Sequence, residues 1–139
     1  MSVFTKPLMV SPLPDGKRWV LRSDFYYNVG SKDSGDRITV KKGFITDFTS
    51  VPRLLWAVYP KWGKYGNSAI IHDWLYWDQS RPRKEADSIF LEGMVVLGVG
   101  RFTRWSIYKS VSRFGFMAWN SNKKAKNKGE NRIMELSGW

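Results

Sequence analysis

The first third of the chain shows the pattern of short β-strands. Residues 18–29 are rich in β-forming side chains, and the glycine-containing segment 30–36 that follows is typical of a turn. Residues 37–45 then alternate well enough between apolar and polar side chains to pair with the first segment as a hairpin. Gly43 indicates a bend into the next segment. We therefore expect a small N-terminal antiparallel β-sheet.

Helical patterns dominate from residue 52 onward. A short helix is predicted between Pro52 and Pro60, because proline is tolerated in the first turn of a helix and stops one further along. The next helix is expected to be capped by Asn67 or Ser68 and to run to about Trp77.

Two further helices complete the outline. One should have Pro82 near its first turn and run to Leu97, and the last should span about 102–119, with an apolar stripe typical of core packing. The predicted fold class is α+β, in which the small N-terminal antiparallel β-sheet is followed by a C-terminal part of three to four helices.

The length of 139 residues suits one domain, which we place at residues 1–119. Residues 120–132 carry five positive charges and one negative charge, so residues 120–139 are expected to form a basic, flexible tail. With 23 Lys and Arg against 12 Asp and Glu, the chain has a formal net charge of +11. Such a charge would attract nucleic acid, an anionic membrane surface or an acidic protein partner.

Cysteine is absent and histidine occurs once, which narrows the possible chemistry. Zinc sites built from four Cys or His ligands, cysteine nucleophiles and disulfides are excluded, as are metal phosphohydrolases that need several histidines. A bound metal is therefore expected to have oxygen ligands, which favours calcium or magnesium. The N-terminus is too short and polar for a secretory signal, and no apolar run reaches the length of a membrane span, so we expect a soluble, cytoplasmic product.

The single histidine, His72, is followed directly by Asp73 and, one helical turn later, by Tyr76. On a helix His72 and Tyr76 share a face, whereas Asp73 points to one side. Asp87 lies on the apolar stripe of the next helix, where a carboxylate needs a partner. We expect Asp87 to orient His72 and to accept a hydrogen bond from Tyr76. The other ring nitrogen of His72 could then act as a base, although a polar network can also serve only to specify a core.

Several motifs resemble those of a family of uncharacterised proteins from tailed phages and prophages. The residues that carry this resemblance are Gly43-Phe-Ile-Thr-Asp47-Phe-Thr-Ser-Val-Pro-Arg53, His72-Asp-Trp-Leu-Tyr76, Arg83-Lys-Glu-Ala-Asp87-Ser-Ile-Phe90 and the helix from Tyr108 to Trp119. The resemblance covers most of residues 19–119. It implies a phage origin, and hence a location in the host cytoplasm or the virion, and a small α+β domain, but no activity.

A narrower resemblance concerns the active-site helices of secreted phospholipase A2 and of the capsid-borne phospholipases of small DNA viruses. It lies in His72-Asp73-x-x-Tyr76 followed by Ala86-Asp87-x-x-Phe90. The resemblance implies that His72 activates water, Asp73 ligates calcium, Asp87 orients His72, and Tyr76 supports Asp87. The glycine-rich calcium loop of those enzymes is replaced here by residues 47–52, where Asp47 could ligate the metal or cap the short helix.

The leading hypothesis is therefore a phage protein of phospholipase A2 type, dependent on calcium, that hydrolyses ester bonds of anionic membrane phospholipids. The alternative is a non-enzymatic virion or assembly component, in which the same side chains form a structural network and the basic surface meets DNA or another phage protein. Nucleic-acid binding rests on charge and aromatic content alone. A ring nitrogen of His72 open to a cleft would favour the enzyme, and an imidazole satisfied on both nitrogens inside the core would oppose it.

Overall fold

The computed structural model describes residues 3–4, 7–31, 33–47 and 65–136. The short helix predicted between Pro52 and Pro60 lies outside these residues. Within them, antiparallel strands precede a set of helices, which confirms the predicted α+β class.

The strands form two small sheets rather than the single sheet that was predicted. The described strands are β1 (Val3–Phe4), β2 (Val10–Pro12), β3 (Trp19–Leu21), β4 (Phe25–Asn28), β5 (Arg37–Val40) and β6 (Ile45–Thr46), in the orders β1-β4-β5 and β2-β3-β6. The predicted hairpin is present as β4 and β5, with Phe25 opposite Val40 and Asn28 opposite Arg37.

The predicted single strand at residues 18–29 is interrupted at residues 22–24. Two hydrogen bonds stabilise the chain at residues 22–24. The backbone N–H of Arg22 donates to the carbonyl of Met9, and that of Lys42 donates to the side chain of Asp24 at 2.7 Å. β3 and β4 therefore enter different sheets.

Helices follow the sheets. The described helices are α1 (Gly66–Asp78), α2 (Arg83–Val96), α3 (Arg101–Phe114) and α4 (Phe116–Asn127). Ser68, near the start of α1, donates to the carbonyl of Phe90, while Tyr76, near its end, donates to Asp87, which comes earlier on α2. The two helices therefore run antiparallel. No helix in the described part of the chain combines the length and the apolar character needed to cross a membrane.

The single helix predicted at residues 102–119 is divided at Gly115 and extends further, to Asn127. A side chain at position 115 would overlap the hydroxyl of Tyr76 and the carbonyl of Val111, so glycine permits the close approach at this bend. α4 then packs against the end of α1: Asn122 donates to the carbonyl of Tyr76, and Lys126 to that of Asp78.

The chain after α4 returns to the second sheet. The N–H of Ile45 donates to the carbonyl of Arg132 at 2.8 Å, and the N–H of Met134 donates to the carbonyl of Gly43 at 2.7 Å. Gly43 has a φ of 94° and lies against the Met134 backbone, where a larger residue would not fit. Residues 120–134, which the charge pattern assigned to a flexible tail, thus contact the domain at α1 and at β6.

One apolar core joins the sheets to the helices. Its largest fully buried members are Leu21, Phe25, Tyr27, Phe44, Ile70, Ile71, Leu75, Tyr76, Phe90, Met94 and Ile107. His72, Asp73 and Asp87 are buried beside these side chains, so each of the three polar groups requires a partner within the protein.

Candidate functional site around His72

His72, Tyr76 and Asp87 form the hydrogen-bonded group that the helix pattern predicted. Nε2 of His72 lies 2.8 Å from Oδ1 of Asp87, and the hydroxyl of Tyr76 donates to the same oxygen at 2.6 Å. α1 supplies His72 and Tyr76 one turn apart, and α2 supplies Asp87. The predicted contacts are therefore present, while the catalytic roles of the three residues stay a prediction.

Arg83 and Tyr76 both contact the carboxyl group of Asp87. Nη1 of Arg83, one turn earlier on α2, lies 3.5 Å from Oδ2 of Asp87 and pairs with it. Burial, reinforced by the hydrogen bond to Asp87, raises the pKa of Tyr76 well above its usual range, so its hydroxyl stays protonated and donates. A carboxylate only accepts hydrogen bonds, so Nε2 of His72 is the ring nitrogen that would donate to Asp87.

The imidazole is enclosed by rings. Its centroid lies 4.2 Å from that of Tyr76 and 4.5 Å from that of Phe90, and the exposed fraction of His72 is 0%. Tyr76 in turn makes an edge contact with Trp119 of α4 at 5.2 Å. Water or substrate can therefore reach His72 only after neighbouring side chains move.

The two predicted metal ligands meet at one guanidinium group. Nη2 of Arg132 lies 3.2 Å from Oδ2 of Asp73 and 3.7 Å from Oδ1 of Asp47. The hydroxyl of Thr46 donates to the same Asp73 oxygen. Asp73 is completely buried, and its second oxygen, Oδ1, has no hydrogen-bond partner among the described residues. The structure thus brings Asp73 and Asp47 to the same place, with Arg132 bound to both.

Several contacts hold the Arg132 side chain in this position. Its Nε donates to the carbonyl of Ile45 at 3.0 Å, and its guanidinium lies over the rings of Phe44 and Trp77 at 5.2 Å and 5.4 Å. Only 17% of the side chain is exposed. These contacts and the pairing of the segment with β6 fix the cation next to Asp73.

The described residues do not fit a calcium ion in this arrangement. Calcium takes six to eight oxygen ligands, whereas the carboxylates of Asp73 and Asp47 share a guanidinium that already supplies positive charge. Across the described part of the chain, no group of three or more His, Cys, Asp or Glu side chains could hold a metal ion. The calcium site expected from the resemblance stays a prediction.

A cleft of about 680 Å³ opens beside Arg132. Its lining includes Ile45, Asp47, Trp77, Arg132 and residues of α4 such as Asn122. The cleft therefore lies next to the Asp47–Arg132 contact and gives solvent access to it, whereas Asp73 is buried behind this contact.

Sequence reasoning missed Arg132, Thr46 and Arg83. Arg132 counted only as one charge of a tail, and nothing local relates it to Asp73, which is 59 residues away. Arg83 was detectable, because it precedes Asp87 by four residues on one helix, a spacing that favours an ion pair.

Comparison with known proteins gives a family and no further match. Neither the curated proteins nor the solved structures contain a match to this chain. A family model described as "Protein of unknown function (DUF1353)" matches residues 19–111. The matched range contains His72, Asp73, Tyr76 and Asp87 and leaves out α4 and Arg132. Since the match covers more than half of the chain, this protein belongs to the DUF1353 family of proteins of unknown function.

Proposed function

We propose that this protein is a hydrolase of phospholipase A2 type that cleaves ester bonds of phospholipids, with His72 as the general base. The observation that carries the proposal is the contact of Nε2 with an Asp87 oxygen that also accepts from Tyr76. In the proposed mechanism Asp87 holds the ring in the tautomer with hydrogen on Nε2, and Nδ1 takes a proton from water. Asp87 would then stabilise the imidazolium that forms.

The other residues have supporting roles in this proposal. Asp87 acts on the base and is therefore a positioning residue, and Tyr76 and Arg83 hold Asp87 in place. Arg132 fixes a positive charge beside Asp73, the residue next to His72 in the chain. Because His72 is fully buried, the proposal requires that the ring be uncovered when substrate binds.

The burial of His72 also favours a second candidate, a non-enzymatic phage virion or assembly component. In that case the His72–Asp87–Tyr76 group would serve as a polar network that specifies how α1 packs on α2. The pairing of Asp73 with Arg132 would likewise be structural. A phage origin, which the first resemblance implies, belongs to the same proposal.

Release of fatty acid from labelled phosphatidylglycerol vesicles tests the hydrolase. The assay compares wild type with His72→Gln, in calcium and in chelator. Loss of a general base should lower the rate by about 10²–10⁴-fold. Asp87→Asn keeps the size of the side chain, and should lower kcat and alter the pH profile while the protein stays folded.

Glu92→Gln is a matched control, because Glu92 accepts from Tyr27 at 2.6 Å in a polar contact away from His72. It should leave turnover unchanged. Hydrolysis that His72→Gln retains would rule out the mechanism. If the wild type cleaves no ester lipid in either condition, while His72→Gln lowers the free energy of unfolding, the structural candidate is supported instead.

A further inference from the structure

The solvent-facing side of α3 carries aromatic side chains and cations together. Phe102 and Trp105 are 74% and 55% exposed, and Lys109 and Arg113 are exposed as well. Spacings of three and four residues place these four side chains on one face of the helix. Ile107 points to the other side and is fully buried. The face that would normally be polar therefore exposes two large rings to water.

α4, after the bend, also exposes apolar side chains and cations. Phe116 and Met117 are 48% and 59% exposed, and Phe114, just before the bend, is 46% exposed. Lys123 and Lys124 lie on the same side of α4 as Phe116 and Met117, one to two turns further along, and are also exposed. The exposed residues Phe102, Trp105, Lys109, Arg113, Phe116, Met117, Lys123 and Lys124 are called the α3–α4 surface below.

Charge is concentrated in this part of the chain. Residues 101–128 contain eight Lys and Arg and no Asp or Glu, while the whole chain has a formal net charge of +11. The segment therefore has a net charge of +8 with no acidic side chain to offset it. A partner for this surface must be strongly anionic and must also accept apolar side chains.

We propose that the α3–α4 surface docks the protein on an anionic phospholipid membrane. Basic helices with Trp, Phe and other apolar side chains on one face bind in the plane of the lipid headgroups. Lysine and arginine gain from the negative surface potential, while phenylalanine and methionine gain by leaving water for the acyl boundary. The phosphates of duplex DNA would pair with the cations, but duplex DNA would offer no apolar region for Met117 or the phenylalanines.

The inference rests on the proposed function for its choice of phospholipid as partner, but binding is measured separately from hydrolysis. Vesicle flotation of the full chain, with phosphatidylcholine alone and with added phosphatidylglycerol, should show binding that needs the anionic lipid and weakens with salt. Lys109→Gln with Arg113→Gln should weaken binding about 25-fold, at about fivefold for each cation. Phe102→Ser with Trp105→Ser should weaken it by at least about tenfold.

Matched controls lie outside the surface. Lys41→Gln with Lys42→Gln removes two exposed cations, and Val95→Ser removes an apolar side chain that is 51% exposed. Both should bind vesicles as the wild type does, and an equal loss in these controls would contradict the proposal.

Other results separate the possibilities. Absence of flotation with phosphatidylglycerol overturns the proposal, and retention of duplex DNA by the same surface without flotation assigns it to nucleic acid. In another outcome the wild type floats with phosphatidylglycerol vesicles but hydrolyses no lipid, while both α3 double variants lose flotation. That result supports docking and rules out the proposed hydrolase. His72→Gln should bind vesicles like the wild type, so loss of hydrolysis and loss of docking are distinguishable.

Discussion

Replacement of Arg132 by methionine tests the contact between the C-terminal segment and α1. The substitution keeps an unbranched apolar side chain over the ring of Phe44 but removes the guanidinium that lies 3.2 Å from Oδ2 of Asp73. Asp73 would keep the hydrogen bond from Thr46 and would otherwise be a buried carboxylate without a counter-charge.

The magnitude follows from the burial of the two partners. Removal of one member of a buried ion pair typically costs about 3–5 kcal/mol, because the remaining charge is left uncompensated. Asp73 is 0% exposed, but Arg132 is 17% exposed and borders the cleft, so water can enter in its place. We therefore expect Arg132→Met to lower the free energy of unfolding by about 3 kcal/mol, the low end of that range.

Urea unfolding followed by circular dichroism measures this change. The double variant with Asp73→Asn should be more stable than the sum of the two single losses implies, with a coupling energy of about 2 kcal/mol. Lys128→Met, at an exposed position nearby, should change stability by less than about 0.5 kcal/mol. If Arg132→Met were no less stable than Lys128→Met, the docking of residues 130–134 on β6 would be refuted.

Two further predictions concern other polar contacts. Tyr76→Phe removes only the hydroxyl that donates to Asp87 at 2.6 Å. Because hydrogen bonds to charged groups contribute about 1.5–3 kcal/mol, it should lower the free energy of unfolding in urea by about 2 kcal/mol. A loss below about 0.5 kcal/mol would contradict the contact. The hydrogen bonds from Arg81 lower the pKa of Asp36, so this pair stabilises the fold above the ordinary aspartate pKa of about 3.9 and ceases to do so as the pH falls through the lowered value. Asp36→Asn should therefore cost up to about 1 kcal/mol at pH 7, because the carboxylate is partly exposed, and progressively less as the pH falls through the lowered pKa. A difference from wild type that stayed constant over this range would refute the assignment.

Much of the candidate site follows from local pattern. His72 and Tyr76 are four residues apart, so any helix through this segment places them on one face. Asp87 lies on the apolar stripe of α2, where a buried carboxylate requires a hydrogen-bond partner. Because a short connection joins α1 to α2, the two helices pack side by side, and the stripe of α2 faces His72 and Tyr76. These local constraints are sufficient to predict the contact of Asp87 with His72 and Tyr76 from the order of the residues alone.

The sequence by itself therefore determined the α+β class, the β4–β5 hairpin, the helices α1 and α2 and the group around Asp87, because each depends on residue periodicity or on neighbours a few turns apart. Tertiary structure alone decided the division into two sheets, the bend at Gly115 and the position of Arg132 against Asp73. Residue 132 reaches residue 73 only because the chain after α4 pairs with β6. Local periodicity carries no information on such pairing between distant segments, and so a residue that counted as one more tail charge became the counter-ion of a buried aspartate.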